Sequence, residues 1–172
     1  LSMALAAEPF CRGRRVVATD LAEVLPLLRR NCAPVRPADA AATELSGELR
    51  CGALRWGDLN ETSALLREAG VAESSASCCV IACECAYWGG WDLFADDTRE
   101  PLADTLDALV AGPEGLGVLV HEVRDAAREA TLFEMLRSRG LEIYREPPTP
   151  DGELREGQLG IWSLRRAPRG RD

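Results

Sequence analysis

The sequence predicts an α/β protein, a doubly wound and mostly parallel sheet that ends in an antiparallel hairpin. Three observations carry this expectation. Short apolar runs rich in Val, Ile, Leu and Cys alternate along the chain with amphipathic stretches of helical period. Gly and Pro clusters fall between these segments and leave their interiors intact. The last two strand-like runs are separated by Pro147, Pro148, Pro150 and Gly152 without any helical pattern. A parallel pair needs a long crossover, which that connection does not supply, so the two runs are free to form a hairpin.

Taken in order, residues 15–19 (Arg-Val-Val-Ala-Thr) read as a short strand that ends at Asp20. Residues 21–31 carry apolar side chains at Leu21, Val24, Leu25, Leu27 and Leu28, a helical stripe that must take Pro26 into its first turn. Residues 49–56 alternate apolar and polar positions and stop at Gly57-Asp58. A helix over 61–69 turns Leu65 and Leu66 inward and ends at Gly70. The apolar run 77–87 reads as a fully buried strand, followed by a helix over 101–111 that Gly112-Pro113 stops. A strand over 117–121, an amphipathic helix over 126–138 closed by Gly140, and strands over 141–144 and 159–164 complete the pattern.

Composition narrows the function classes. Of 172 residues, 47% are hydrophobic and 28% charged, as in ordinary globular chains, and no apolar run reaches the roughly 18–20 residues that span a bilayer. A net charge of −8 repels phosphate backbones on average, so neither nucleic acid nor membrane is an expected partner. All 20 basic residues are Arg, which reads as compositional bias, because exchanging Arg for Lys on a solvated surface changes little. Seven cysteines make an odd count, and no secretory leader pattern opens the sequence, which points to a reducing intracellular compartment, the cytoplasm first. Cys78, Cys79, Cys83 and Cys85 crowd one run. Same-face neighbours in a strand stand roughly 6.6 Å apart, whereas thiolates that share a zinc at about 2.3 Å lie much closer together. No metal site is expected, and these cysteines read as small core residues.

Ligands of open parallel sheets bind at the carboxyl ends of the strands. Asp20 stands at the first such end, where it suits either ribose hydroxyls or the cap of the following helix. Trp56-Gly57-Asp58 follows the second, offering an aromatic face and a carboxylate acceptor. Glu84 and Tyr87 follow the third and bring a carboxylate and a phenol to one cleft mouth. His121-Glu122-Val123-Arg124 follows the fourth. His121 is the single histidine, and no Ser or Cys stands in a nucleophile-elbow pattern.

Together these positions resemble the seven-strand S-adenosylmethionine-dependent methyltransferases, with a Rossmann-like fold, and more narrowly the family-16 protein-lysine methyltransferases. Asp20-Leu21-Ala22-Glu23-Val24-Leu25-Pro26-Leu27-Leu28-Arg29-Arg30-Asn31 is similar to that family's second strand end and following helix. Leu54-Arg55-Trp56-Gly57-Asp58 matches its Leu-x-Trp-Gly-Asp, and Glu84-Cys85-Ala86-Tyr87 its Asp/Glu-x-x-Tyr/Phe. His121 to Arg124 and the helix end over 133–140 resemble the fifth strand and its helix. The resemblance runs over most of a domain at 1–166, leaving 167–172 as a polar tail. It implies that Asp20 holds the cofactor ribose, that Trp56 and Asp58 hold the adenine, and that Cys83 lines the methionine side. It further implies that Glu84 and Tyr87 position the ammonium of a lysine presented by a protein substrate, with the enzyme a monomer.

Such enzymes open with a first strand ending in Glu-x-Gly-x-Gly-x-Gly, which these 172 residues do not contain. Residues 1–7 resemble the helix that follows it. The expectation is therefore a chain short of its first strand, with weakened S-adenosylmethionine binding. A non-catalytic interaction module that keeps the fold is the alternative. An acid after the second strand also suits a nicotinamide dehydrogenase, but Trp-Gly-Asp, Glu-x-x-Tyr and the terminal hairpin favour the methyltransferase.

Overall fold

The structure, a computed structural model, describes residues 15–33, 48–71, 78–86, 97–112, 114–147 and 159–167. These fall into two compact units, one built on residues up to Arg55 with Asn60–Gly70, the other on Trp56–Leu59 and residues from Val71 onward.

The first unit holds β1 (Arg15–Asp20), α1 (Leu25–Cys32), β2 (Glu48–Ala53) and most of α2 (Leu59–Glu68). The two strands run parallel, in register from Arg15 opposite Glu48 to Asp20 opposite Ala53. The apolar stripe predicts a helix from Leu21, yet α1 begins only at Leu25. Proline has no N–H to give and a fixed φ, so Pro26 is tolerated only in the opening turn and sets the start. Residues 21–24 instead form a turn, in which Val24 N–H donates to Leu21 O at 2.9 Å. Leu65 of α2 is buried against the sheet at Gly52, where a Cβ would stand 2.6 Å from Leu65 Cδ1. Ala18, Leu25 and Leu54 are buried in the same unit.

The second unit holds β3 (Cys79–Cys83), α3 (Arg99–Leu109), β4 (Leu116–Glu122), α4 (Ala126–Ser138), β5 (Leu141–Arg145) and β6 (Leu159–Arg166). Its strands stand in the order β3-β4-β6-β5. β3 and β4 are parallel, while β6 runs antiparallel to both β4 and β5, which is the predicted hairpin. β3 is shorter and wetter than the run 77–87 predicts. Only Ala82 is buried in it, and Cys79 and Cys83 are exposed. Cys79 and Cys83 are therefore not core residues, and none of the described cysteines is in a disulfide.

α3, the Val110 that caps its end, and α4 contribute Leu102, Leu106, Val110, Leu132 and Leu136 to one core, which Leu119, Leu141, Trp162 and Leu164 meet from the sheet. β4 buries alternate residues Gly117, Leu119 and His121, as a half-buried strand requires. Buried His121 Nε2 bonds to the buried Glu129 carboxylate of α4, and its ring stacks on Trp162 at 4.7 Å. The Trp162 ring lies over Gly160, where any Cβ would collide with it. The lone histidine is thus part of the packing. Among the described residues no helix is long and apolar enough to cross a membrane.

Candidate functional site

The carboxyl end of β3 is built around Glu84. Its backbone turns left-handed, with φ 51, immediately after the strand. Its N–H still donates to Val120 O at 2.8 Å, so the turn stays fastened to β4. That turn carries the side chain towards the end of β4, where Oε1 accepts from Glu122 N–H at 2.7 Å. Oε2 faces the Arg124 guanidinium at 3.1 Å, and Arg124 Nε in turn donates to Glu122 Oε2 at 3.1 Å. A carboxylate is thereby fixed at the strand ends with one oxygen bound by backbone and the other turned to a cation. Neither Arg124 nor the Glu122 N–H is marked in advance as a partner of Glu84. Their signal was the charged pair two residues apart just beyond an apolar strand.

Cys83, the last residue of β3, is exposed, and its carbonyl accepts from Cys85 Sγ at 3.3 Å. Trp56 is half-buried and packs against the core of the second unit, as Cys85 and Ala86 do. Gly57 has φ 82 and donates its N–H to Thr105 Oγ1 at 2.8 Å, which fastens Trp56-Gly57-Asp58 to α3. A side chain at Gly57 would press on Pro101 at 3.1 Å. Asp58 is half-buried beside this turn. Trp56, Asp58, Cys83 and Glu84 thus belong to one unit.

Asp20 belongs to the other. It is exposed at the end of β1, its Oδ1 accepts from Leu21 N–H at 2.8 Å, and its carbonyl accepts from Leu54 N–H at 2.9 Å. Because α1 starts at Leu25 behind Val24, Asp20 is not its cap. The helical alternative for Asp20 is gone, and a short acceptor at a strand end remains. Tyr87 and the helix expected over 1–7 lie outside the described residues.

Among the described residues no group of three or more His, Cys, Asp or Glu is gathered closely enough to hold a metal ion. Burial, and then neighbouring Cys79, push the Cys78 thiol up, away from the thiolate that a metal ligand or nucleophile needs.

No sequence-family profile matches the chain, and no curated protein matches it. Among solved structures the chain is similar to a TehB-like SAM-dependent methyltransferase from Corynebacterium glutamicum, with a TM-score of 0.54 and 14% identity. The match covers 96% of this chain and 73% of that one. The chain therefore shares the α/β fold of that structure, as the alternating elements predict.

Proposed function

We propose that this chain is an S-adenosylmethionine-dependent methyltransferase that acts on a lysine side chain of a protein. The observation that carries the reading is the Glu84 carboxylate, held at the strand ends by Glu122 N–H with its second oxygen already facing a cation. A carboxylate so fixed suits the ammonium of lysine, and Tyr87 three residues on supplies the aromatic face that a cation favours. Asp20 is the acceptor for ribose hydroxyls, Trp56 and Asp58 hold the adenine, and Cys83 lines the methionine side. S-adenosylmethionine, when bound, supplies the methyl group. The residues of the chain align the amine and take up its proton, and transfer of this kind depends chiefly on proximity and alignment. A protein partner, rather than a nucleic acid, agrees with the charge of −8. The proposed site works in a monomer in the cytoplasm.

Because these 172 residues hold no Glu-x-Gly-x-Gly-x-Gly stretch, the cofactor contacts proposed are side-chain contacts, and the expected affinity is weaker than micromolar. Titration with S-adenosylhomocysteine, followed by ligand-observed NMR, tests this. Saturable binding that Asp20→Ala and Asp58→Ala each weaken about tenfold supports the reading. Absence of binding at millimolar ligand, or binding indifferent to both substitutions, overturns it. The engagement of both Glu84 oxygens within the protein favours a second reading, a non-catalytic interaction module. The two part on methyl transfer to protein lysines, which that module lacks.

A further inference from the structure

The two oxygens of Glu84 are held in different ways. Oε1 accepts from a backbone donor, Glu122 N–H, and Glu122 is itself laddered to Leu159 of β6, so that partner stays while the strand end is intact. Oε2 is met by a side chain, Arg124 Nη2 at 3.1 Å. Because Oε1 is already taken, the guanidinium cannot close the two-pronged clasp that makes an arginine–carboxylate pair strong. It touches Glu84 through one nitrogen, with 60% of the arginine side chain and 43% of the glutamate side chain exposed. An exposed pair of that kind is weakly held. Arg124 also has a second place to rest. Its Nε donates to Glu122 Oε2 at 3.1 Å, so the guanidinium bridges two carboxylates and keeps one when it gives up the other. The Arg124 backbone is fixed on both sides, by the end of β4 at Glu122 and by Asp125, which caps α4. Giving up Glu84 therefore takes a side-chain rotation and no movement of strand or helix. Two carboxylates against one guanidinium leave one negative charge, which an incoming cation matches. An alkylammonium, a compact charge with three donors, needs only the single oxygen that Arg124 covers.

We propose that Arg124 is an internal competitor for the substrate ammonium, covering Glu84 Oε2 in the resting protein until an entering lysine displaces it onto Glu122. The inference rests on the reading of Glu84 as the holder of that ammonium. It also reconciles that reading with the engagement of both Glu84 oxygens, since one of the two bonds is exchanged when substrate enters and the other keeps the carboxylate aimed.

The test titrates the full chain with Nα-acetyl-lysine methylamide at constant ionic strength and without cofactor, and follows the Glu84 carboxyl carbon, the Glu122 amide and the Arg124 side chain by NMR. Expected are Glu84 and Arg124 signals that shift with one midpoint while Glu122 N–H stays protected from solvent exchange. Binding should be about two- to fivefold tighter in Arg124→Ala, the gain expected from removing one exposed competing pair. Arg128→Ala removes an equal charge, one that pairs with Asp125, and should leave the affinity as it is in the parent. Equal affinity in the parent and Arg124→Ala, or an equal gain in Arg128→Ala, overturns the competitor and leaves the reading of Glu84 standing. Absence of binding in all three chains, or binding indifferent to Glu84→Gln, overturns both.

Discussion

At Glu84 a non-glycine residue sits at φ 51, a left-handed backbone that costs about 1 kcal/mol or more. The bonds that the turn makes possible, Val120 O to its N–H and Glu122 N–H to its carboxylate, offset that cost and fix where the carboxylate points. Glu84→Gln keeps an acceptor for Glu122 N–H and loses only an exposed ion pair, so stability should fall by less than about 1 kcal/mol in urea unfolding. Glu84→Ala also strands the Glu122 N–H and should cost about 1–2 kcal/mol. If Glu84 holds the substrate amine, Glu84→Gln lowers methyl transfer far more than it lowers stability. Two arginines correct the view that Arg here is mere composition. Arg139 gives Nε and Nη2 to Asp104 Oδ1 at 2.8 and 2.6 Å and Nη1 to Met135 O at 2.9 Å. Arg166 bonds Arg139 O and Asp107 O at 2.7 and 2.8 Å. An ammonium cannot reproduce such forks, so these sites are not open to lysine.

Helices show which local signals can be trusted. For α4, bounds at 126–138 follow from sequence because Asp125 and Gly140 both act locally. Asp125 accepts from Ala127 N–H and Arg128 N–H at 3.1 Å each, and Asp125→Ala should cost about 1 kcal/mol by thermal unfolding. Hydrophobic period alone starts α1 too early, because it counts Leu21 and Val24 as helical, whereas Pro26 limits where the first turn can begin. The apolar run makes β3 longer and drier than it is, since such a run records how little a strand dislikes burial and not how many of its residues achieve it. Ahead of α3, Asp97 pairs with the Arg99 guanidinium and accepts from Arg99 N–H at 3.0 Å, and Arg99 lowers its carboxyl below the ordinary range. A depressed carboxyl stabilises the fold above its unfolded pKa and loses that contribution as pH falls through the folded one. Asp97→Asn should therefore lose under about 1 kcal/mol at neutral pH, the pair being partly exposed, and match the parent in strong acid.

At the scale of the molecule, the order of strands and helices and the terminal hairpin were legible because chain connectivity limits which strands can be parallel. The positions of Asp20, Cys83 and Glu84 at strand ends were legible for the same reason, whereas β2 stops at Ala53, short of the run 49–56, and leaves Trp56 and Asp58 in the loop beyond it. The bond from Glu122 N–H to Glu84 was not, because it depends on a single backbone φ and on the register of β3 against β4. Leu164 of β6 is fully buried in the core of the second unit and packs on Gly117 of β4, so Leu164→Ala should cost about 2–5 kcal/mol in denaturant unfolding. The order β3-β4-β6-β5 has a consequence for how this sheet is made during synthesis. A ribosome delivers β5 before β6, yet β6 stands between β4 and β5 and is the ladder partner through which β5 joins the sheet. The outermost strand must wait for the one that follows it. Until residues 159–166 emerge, β4 keeps one edge open towards the place that β6 will fill, and nascent chains stalled before that point expose it to any extended segment nearby.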